Sequence, residues 1–226
     1  MKYKGIIFDL DGVICSTDEY HYLAWKALAE RLNIPFDRER NNLLRGVSRA
    51  ASLNIILEKS DQTYTDEEKA ALAEEKNTLY RELLSNMSTA DLSDDVKITL
   101  EALRKTDLKL AIGSSSKNTP FILERIGLGN FFDAIADGNC ITHSKPSPEV
   151  FLKAAEMISL PPQNCLVVED AHAGVEAAIA GGFDCAAIGD ARDDERDGWH
   201  LSRFSDILKE LPLMIFSDHF ETAPGY

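Results

Sequence analysis

The chain of 226 residues has no apolar stretch approaching the ~18–20 residues that a membrane-spanning helix requires. Its first four residues are charged and polar and run directly into a strand-like segment, so no secretory leader is expected. Cysteine is sparse, and Cys15, Cys140, Cys165 and Cys185 are scattered without close pairing. That speaks against a disulfide framework and for reduced thiols in a cytoplasmic protein. Positive charge is also in short supply: 24 Lys and Arg face 38 Asp and Glu, for a formal net charge of −14. Such a chain is a poor partner for nucleic acid or an anionic membrane surface. With 44% hydrophobic residues, it has material for a real core, either one large domain or one domain carrying a smaller one.

What is present begins with Asp9-Leu10-Asp11-Gly12, directly after the apolar run Gly5-Ile6-Ile7-Phe8. If the backbone stays extended past the strand, Asp9 and Asp11 project to the same side and Leu10 to the other. Two carboxylates ~4 Å apart repel by roughly 4 kcal/mol at an effective dielectric of about 20. A cation or a proton would relieve that repulsion. Gly12 lets the chain turn away sharply.

Further apolar runs at Leu108–Gly113, Ala134–Ala136, Cys165–Val168 and Cys185–Ile188 read as strands. Helical signals alternate with them. Ser93 can cap a helix with Val96, Leu100 and Leu103 on one face, Ser147-Pro148 pairs an N-cap serine with a first-turn proline, and Gly181-Gly182 ends a helix. The alternation implies an α/β fold, a doubly wound, Rossmann-like parallel sheet with helices on both faces and its ligand site beyond the carboxyl ends of the strands. Residues 16–88 break the pattern. Tyr22, Trp25, Ala29 and Leu32 keep a helical period, Leu53, Ile56 and Leu57 begin another, and Thr65-Asp66-Glu67-Glu68 has the spacing of a capping box. The expected organisation is a catalytic core of residues 1–15 and 89–226 with an inserted all-helical cap of residues 16–88.

Four segments would meet at the strand ends: Asp9 with Asp11; Ser114-Ser115-Ser116-Lys117-Asn118; Lys145-Pro146; and Glu169-Asp170. Serine hydroxyls and backbone N–H groups entering a helix suit a phosphate oxygen. Acids from two strand ends can share Mg²⁺, which takes oxygen ligands. Each segment alone has an ordinary structural reading as a turn, a cap or a helix start, but their joint occurrence at strand ends favours chemistry. In the insertion, Lys76 falls on the apolar face between Leu72 and Leu79, and Arg49 falls on the face of Leu53 and Ile56. A cation on a buried face needs a partner, unless it snorkels outward from the edge of the stripe. In so acidic a chain, Arg49, Lys76, Lys117 and Lys145 can supply the local positive patch an anionic substrate requires, and Arg49 could grip a second phosphate in a bidentate fork.

In order and spacing, the four segments resemble the four motifs of the haloacid dehalogenase superfamily of phosphotransferases over essentially the whole chain. Asp9-Leu10-Asp11-Gly12-Val13-Ile14, Glu19-Tyr20-His21, Gly46-Val47-Ser48-Arg49, Lys76-Asn77, Ser116-Lys117-Asn118 and Glu169-Asp170 are similar to those of its β-phosphoglucomutase group. The resemblance implies Asp9 as nucleophile and Asp11 as acid/base. It implies Mg²⁺ held by Asp9, Glu169, Asp170 and the carbonyl of Asp11. Ser114, Ser115 and Lys145 would bind the transferring phosphate. Substrate contacts are implied for Thr17, His21, Gly46, Arg49, Lys76, Ser116, Lys117 and Asn118, with His21 at the cap hinge near Asp11.

The implied reaction interconverts β-D-glucose 1-phosphate and glucose 6-phosphate through glucose 1,6-bisphosphate, in a monomer with no nucleic acid or membrane partner. A sugar-phosphate phosphatase is the alternative, since the same motifs in a wetter site give hydrolysis. A receiver-like signalling module is a third reading, but it has no use for the helical insertion. One departure is Ser16, where the family commonly carries an acidic residue.

Overall fold

The computed structural model describes residues 2–44, 47–196 and 198–211; Gly46 lies outside the described residues. Six parallel strands form one sheet: β1 (Gly5–Phe8), β2 (Lys109–Gly113), β3 (Ala134–Ala136), β4 (Cys165–Glu169), β5 (Asp184–Ala187) and β6 (Trp199–His200). Their spatial order is β3-β2-β1-β4-β5-β6. The winding direction reverses between β1 and β4, and such a reversal leaves a crevice at the carboxyl ends of the two strands. Phe8 pairs in register with Ile112 on one side and Val168 on the other. Asp9, Gly113 and Glu169, one residue further along, therefore reach the same edge together.

The period-two alternation of each strand feeds two apolar layers. Ile6, Phe8, Leu110, Ile112, Leu166 and Val168 face one side, beneath α5 (Asp94–Arg104) and α6 (Thr119–Arg125). Ile7, Ala111, Val167, Cys185 and Ala187 face the other, with α7 (Glu149–Met157) and α8 (His172–Ala180). Ser93 caps α5 by accepting the Val96 N–H at 3.2 Å, and Gly181 with Gly182 (φ 78°) closes α8. Helix α7 starts one residue later than the serine signal placed it. The Ser147 hydroxyl still accepts the Glu149 N–H, at 3.4 Å.

Between β1 and α5 the chain is helical: α1 (Asp18–Arg31), α2 (Arg38–Asn42), α3 (Arg49–Leu57) and α4 (Asp66–Leu84). The Thr65–Glu68 capping box is present in both directions. Trp25, Leu28, Leu53, Ile56 and Leu72 form a separate apolar cluster, against which α4 packs with α1 and α3. The second half of α4 belongs elsewhere: Tyr80 and Leu84, with Met87 just past the helix end, pack with Phe8 and Val13 on the sheet side. The polarity change along α4 thus occurs around Lys76 and Asn77. Among the described residues, no helix is long and apolar enough to cross a membrane.

Candidate active site

Asp9 leaves β1 with its N–H bonded to the Val168 carbonyl at 2.9 Å, which fixes its carboxylate beside the end of β4. Lys145 Nζ donates to Asp9 Oδ1 at 2.6 Å and to Glu169 Oε1 at 3.0 Å, and all three side chains are buried. Glu169 also accepts the Asp170 N–H through its other oxygen, at 3.0 Å. One carboxylate oxygen each from Asp9, Glu169 and Asp170 lies within 4.8 Å of the others. Burial, followed by the repulsion of neighbouring carboxylates, pushes both Glu169 and Asp170 well above the usual carboxylate range. Three acids against one ammonium make an all-oxygen donor set short of positive charge, which is what a hard divalent cation requires.

Two glycines make the cluster sterically feasible. A Cβ on Gly12 (φ 84°) would lie 1.9 Å from Asp170 Oδ2, and one on Gly174 would lie 1.5 Å from Glu169 Oε1. Gly174 in α8 was not a sequence candidate. Its signal was a glycine inside a helix five residues after the strand-end acid Glu169, a place where glycine is otherwise unfavourable.

Asp11 is held from one side. Thr17 donates its N–H to Oδ1 and its hydroxyl to Oδ2, both at 2.6 Å, and the Tyr80 hydroxyl donates to Thr17 Oγ1 at 3.0 Å. Burial, opposed by the two Thr17 bonds, raises Asp11 to about 6. Thr17, expected to contact substrate, is placed here against Asp11. The residue is 1% exposed, does not border the cavity, and spends both donors on Asp11. Nearby, burial pushes the Cys15 thiol far up, so it is unreactive, and Ser16 is exposed.

The loop after β2 supplies hydroxyls and backbone N–H groups. Ser114 Oγ accepts the Ser116 N–H, and Ser116 Oγ accepts the Asn118 N–H, each at 3.2 Å. The Ser115 hydroxyl is buried without a hydrogen-bond partner. Lys117 is exposed at the rim. Asn118 is buried and turned toward α4, donating to Asn77 Oδ1 at 3.0 Å and accepting from Arg81 at 3.1 Å. Its polar atoms therefore tie α6 to α4.

The opposite wall is helical. Lys76 is 2% exposed; its Nζ lies 2.8 Å from His21 Nδ1 and 4.6 and 4.2 Å from the ring centres of Trp25 and Tyr80. Burial and the nearby Lys76 and Arg49 charges depress His21, so the imidazole is neutral and Nδ1 can accept from the ammonium. His21 also stacks on Tyr80, with ring centres 4.1 Å apart. Trp25 is core and cavity wall at once. Arg49 does not share the burial of Lys76. Its side chain is 26% exposed, and Nη1 lies 3.5 Å from the carboxylate of Glu74. Asp9, Asp11, His21, Arg49, Lys76 and Lys145 border one cavity of about 770 Å³, as do Ser114–Asn118, Glu169 and Asp170.

Residues 3–182 match the haloacid dehalogenase-like hydrolase family. The chain belongs to this family.

Among its relatives, the β-phosphoglucomutase of Bacillus subtilis (strain 168) is 41% identical over 210 residues, covering 92% of this chain and 93% of the relative. The fructose-1-phosphate phosphatase YqaB of Escherichia coli (strain K12) is 31% identical over 188 residues, covering 83% and 97%. The crystal structure of β-phosphoglucomutase from Clostridium difficile superposes with a TM-score of 0.86 at 33% identity, covering 92% of this chain and 96% of that one. The chain is therefore an enzyme of the haloacid dehalogenase superfamily, with its parallel sheet and helical cap. Three contributors to this haloacid dehalogenase-like site escaped the sequence: Gly174, the Tyr80 hydroxyl and Glu74.

Proposed function

We propose that this enzyme interconverts β-D-glucose 1-phosphate and glucose 6-phosphate through an aspartyl-phosphate on Asp9 and a glucose 1,6-bisphosphate intermediate. Residues 16–88 act as a cap over a core of residues 1–15 and 89–226. The observation that carries this reading is that two cations from the helical segment, Arg49 and Lys76, border the same cavity as Asp9 and Asp11. A nucleophile facing solvent would suffice for hydrolysis. A mutase must hold a sugar with a phosphate at each end and turn it over without admitting water.

In this reading Asp9 attacks the phosphoryl group in line, breaking the bond to the leaving sugar oxygen. Asp11, near 6, carries a proton in an accessible fraction of molecules at neutral pH. It gives that proton to the leaving oxygen and takes one back from the incoming hydroxyl. Thr17 aims the carboxyl group at the cavity by occupying its far side. Lys145, Ser114 and the N–H of Ser115 hold the transferring phosphate, and Arg49 holds the other. Lys76, His21, Ser116, Lys117 and Asn118 surround the sugar. Asp9, Glu169 and Asp170 would hold Mg²⁺, whose chemistry is to neutralise charge on the phosphoryl oxygens. The similarity to β-phosphoglucomutases supports the assignment of substrate.

The test is phosphorus NMR of the purified enzyme with Mg²⁺, a trace of bisphosphate and each anomer of glucose 1-phosphate. The β anomer is expected to give glucose 6-phosphate with little inorganic phosphate. Predominant release of inorganic phosphate would replace this reading with a sugar-phosphate phosphatase.

A further inference from the structure

We propose that Glu74 is a resident counter-ion that a second phosphate must displace from Arg49. The inference rests on the reading of Arg49 as the grip for the non-transferring phosphate. Glu74 lies on α4 with its side chain 68% exposed, yet both its carboxylate oxygens are engaged. Oε2 faces Arg49 Nη1 at 3.5 Å, and Oε1 accepts from Asn77 Nδ2 at 3.2 Å. Asn77 is buried and is itself fixed by Asn118, whose N–H bonds Ser116, whose N–H in turn bonds Ser114. A continuous run of hydrogen bonds thus joins the loop at the transferring-phosphate end to the carboxylate that faces Arg49. A surface glutamate would ordinarily spread over many rotamers; this one is tethered beside the cation.

The consequence is a competition that only one class of ligand enters. A ligand ending in a neutral hydroxyl cannot compete with a carboxylate for a guanidinium, whereas a phosphate dianion can, through a bidentate fork. Glu74 therefore offsets the charge of Arg49 while the cavity lacks a second phosphate, and yields it to a ligand that is anionic at both ends. The 3.5 Å separation and partial exposure make the pair weak enough to be exchanged.

The test measures binding without turnover, by calorimetry in an Asp9→Asn background, with glucose 1,6-bisphosphate and with phenyl phosphate, which has no second anionic end. Glu74→Gln keeps an amide oxygen for Asn77 and removes the charge. It is expected to tighten glucose 1,6-bisphosphate about threefold and to leave phenyl phosphate unchanged. Adding Arg49→Gln should abolish that gain. Unchanged or weaker bisphosphate binding in Glu74→Gln overturns the proposal, as does an equal shift for both ligands or a gain that survives Arg49→Gln. The reading of Arg49 has its own control, because Arg49→Gln alone must weaken the bisphosphate. If it does and Glu74→Gln has no effect, the gate alone is wrong.

Discussion

Two buried lysines border the cavity, and they are opposites. Lys145, 5% exposed, bonds two carboxylates, and those charges, working against burial, raise its pKa. Lys76, 2% exposed, has a neutral imidazole and two aromatic faces, and burial with the nearby Arg49 lowers its pKa well below the ordinary 10.5. Equal burial has given one ammonium a permanent charge and the other a conditional one. On the sheet side Lys145 is matched by Asp9 and Glu169 before any ligand arrives, and the surplus carboxylate charge of Asp9, Glu169 and Asp170 is left for a cation. On the helical side the match is incomplete, and an anionic sugar phosphate would complete it. Of such ligand-dependent interactions, only the part that strengthens in the transition state raises the rate of the chemical step.

Replacing each lysine by methionine gives the largest expected effects, and they have opposite signs in stability. Lys145→Met strands Asp9 and Glu169 without their cation. It is expected to cost about 3–5 kcal/mol, lowering Tm by roughly 10 °C, and to reduce turnover by about 10³-fold or more. Lys76→Met removes a poorly compensated ammonium. It is expected to raise Tm by roughly 2–6 °C, for about 1–2 kcal/mol, while kcat/KM falls about 100-fold. The sign follows from linkage. Between the depressed folded-state pKa of Lys76 and 10.5, the unfolded chain binds more protons, so stability rises with pH across that window. The methionine variant should lose that slope. Thermal unfolding from pH 7 to 10 reads both quantities, and a fall in Tm for both variants would erase the contrast.

Mg²⁺ should act on one side of the comparison alone. Saturation at about 100 times Kd stabilises the folded state by roughly 2.7 kcal/mol, and the expected readout is a Tm several degrees higher in Mg²⁺ than in EDTA. Asp170→Asn should abolish most of this shift, and Lys76→Met should keep it. A shift that vanishes with Lys76 instead would mean the metal is sensed through the cap wall.

Much of the sheet side was legible in the sequence because most chemical residues there, Lys145 excepted, follow an apolar run. Asp9, Ser114 and Glu169 are placed by strand register, and register is written in local hydrophobicity. The helical wall was less legible. Period alone put Arg49 and Lys76 on apolar faces, but it cannot separate the centre of a stripe from its edge, and the two side chains ended 26% and 2% exposed. Strand β6 has two residues, too few to show a period. The roles of Thr17, Gly174 and Tyr80 depend on where another side chain points, which no spacing encodes. The resemblance implied a substrate contact for Thr17, whose hydroxyl here donates to Asp11.

Tyr80 joins the two halves, and this sets up the smallest predicted effect. Its ring lies under the Lys76 ammonium at 4.2 Å, and its hydroxyl reaches Thr17, which holds Asp11. Thr17→Val removes the hydroxyl but keeps the N–H bond to Asp11. A donor to a carboxylate stabilises the charged form, so its loss should raise Asp11 above about 6. The acid form then persists to higher pH, and the corresponding ionisation in the pH profile of kcat/KM should move alkaline by up to about one unit. At neutral pH, turnover should fall less than about tenfold, since Asp11 is oriented by one bond instead of two. Tm should change little compared with the lysine variants. An unmoved profile would mean that the ionisation seen in kinetics belongs to another group, and the division of labour between Asp9 and Asp11 would have to be redrawn.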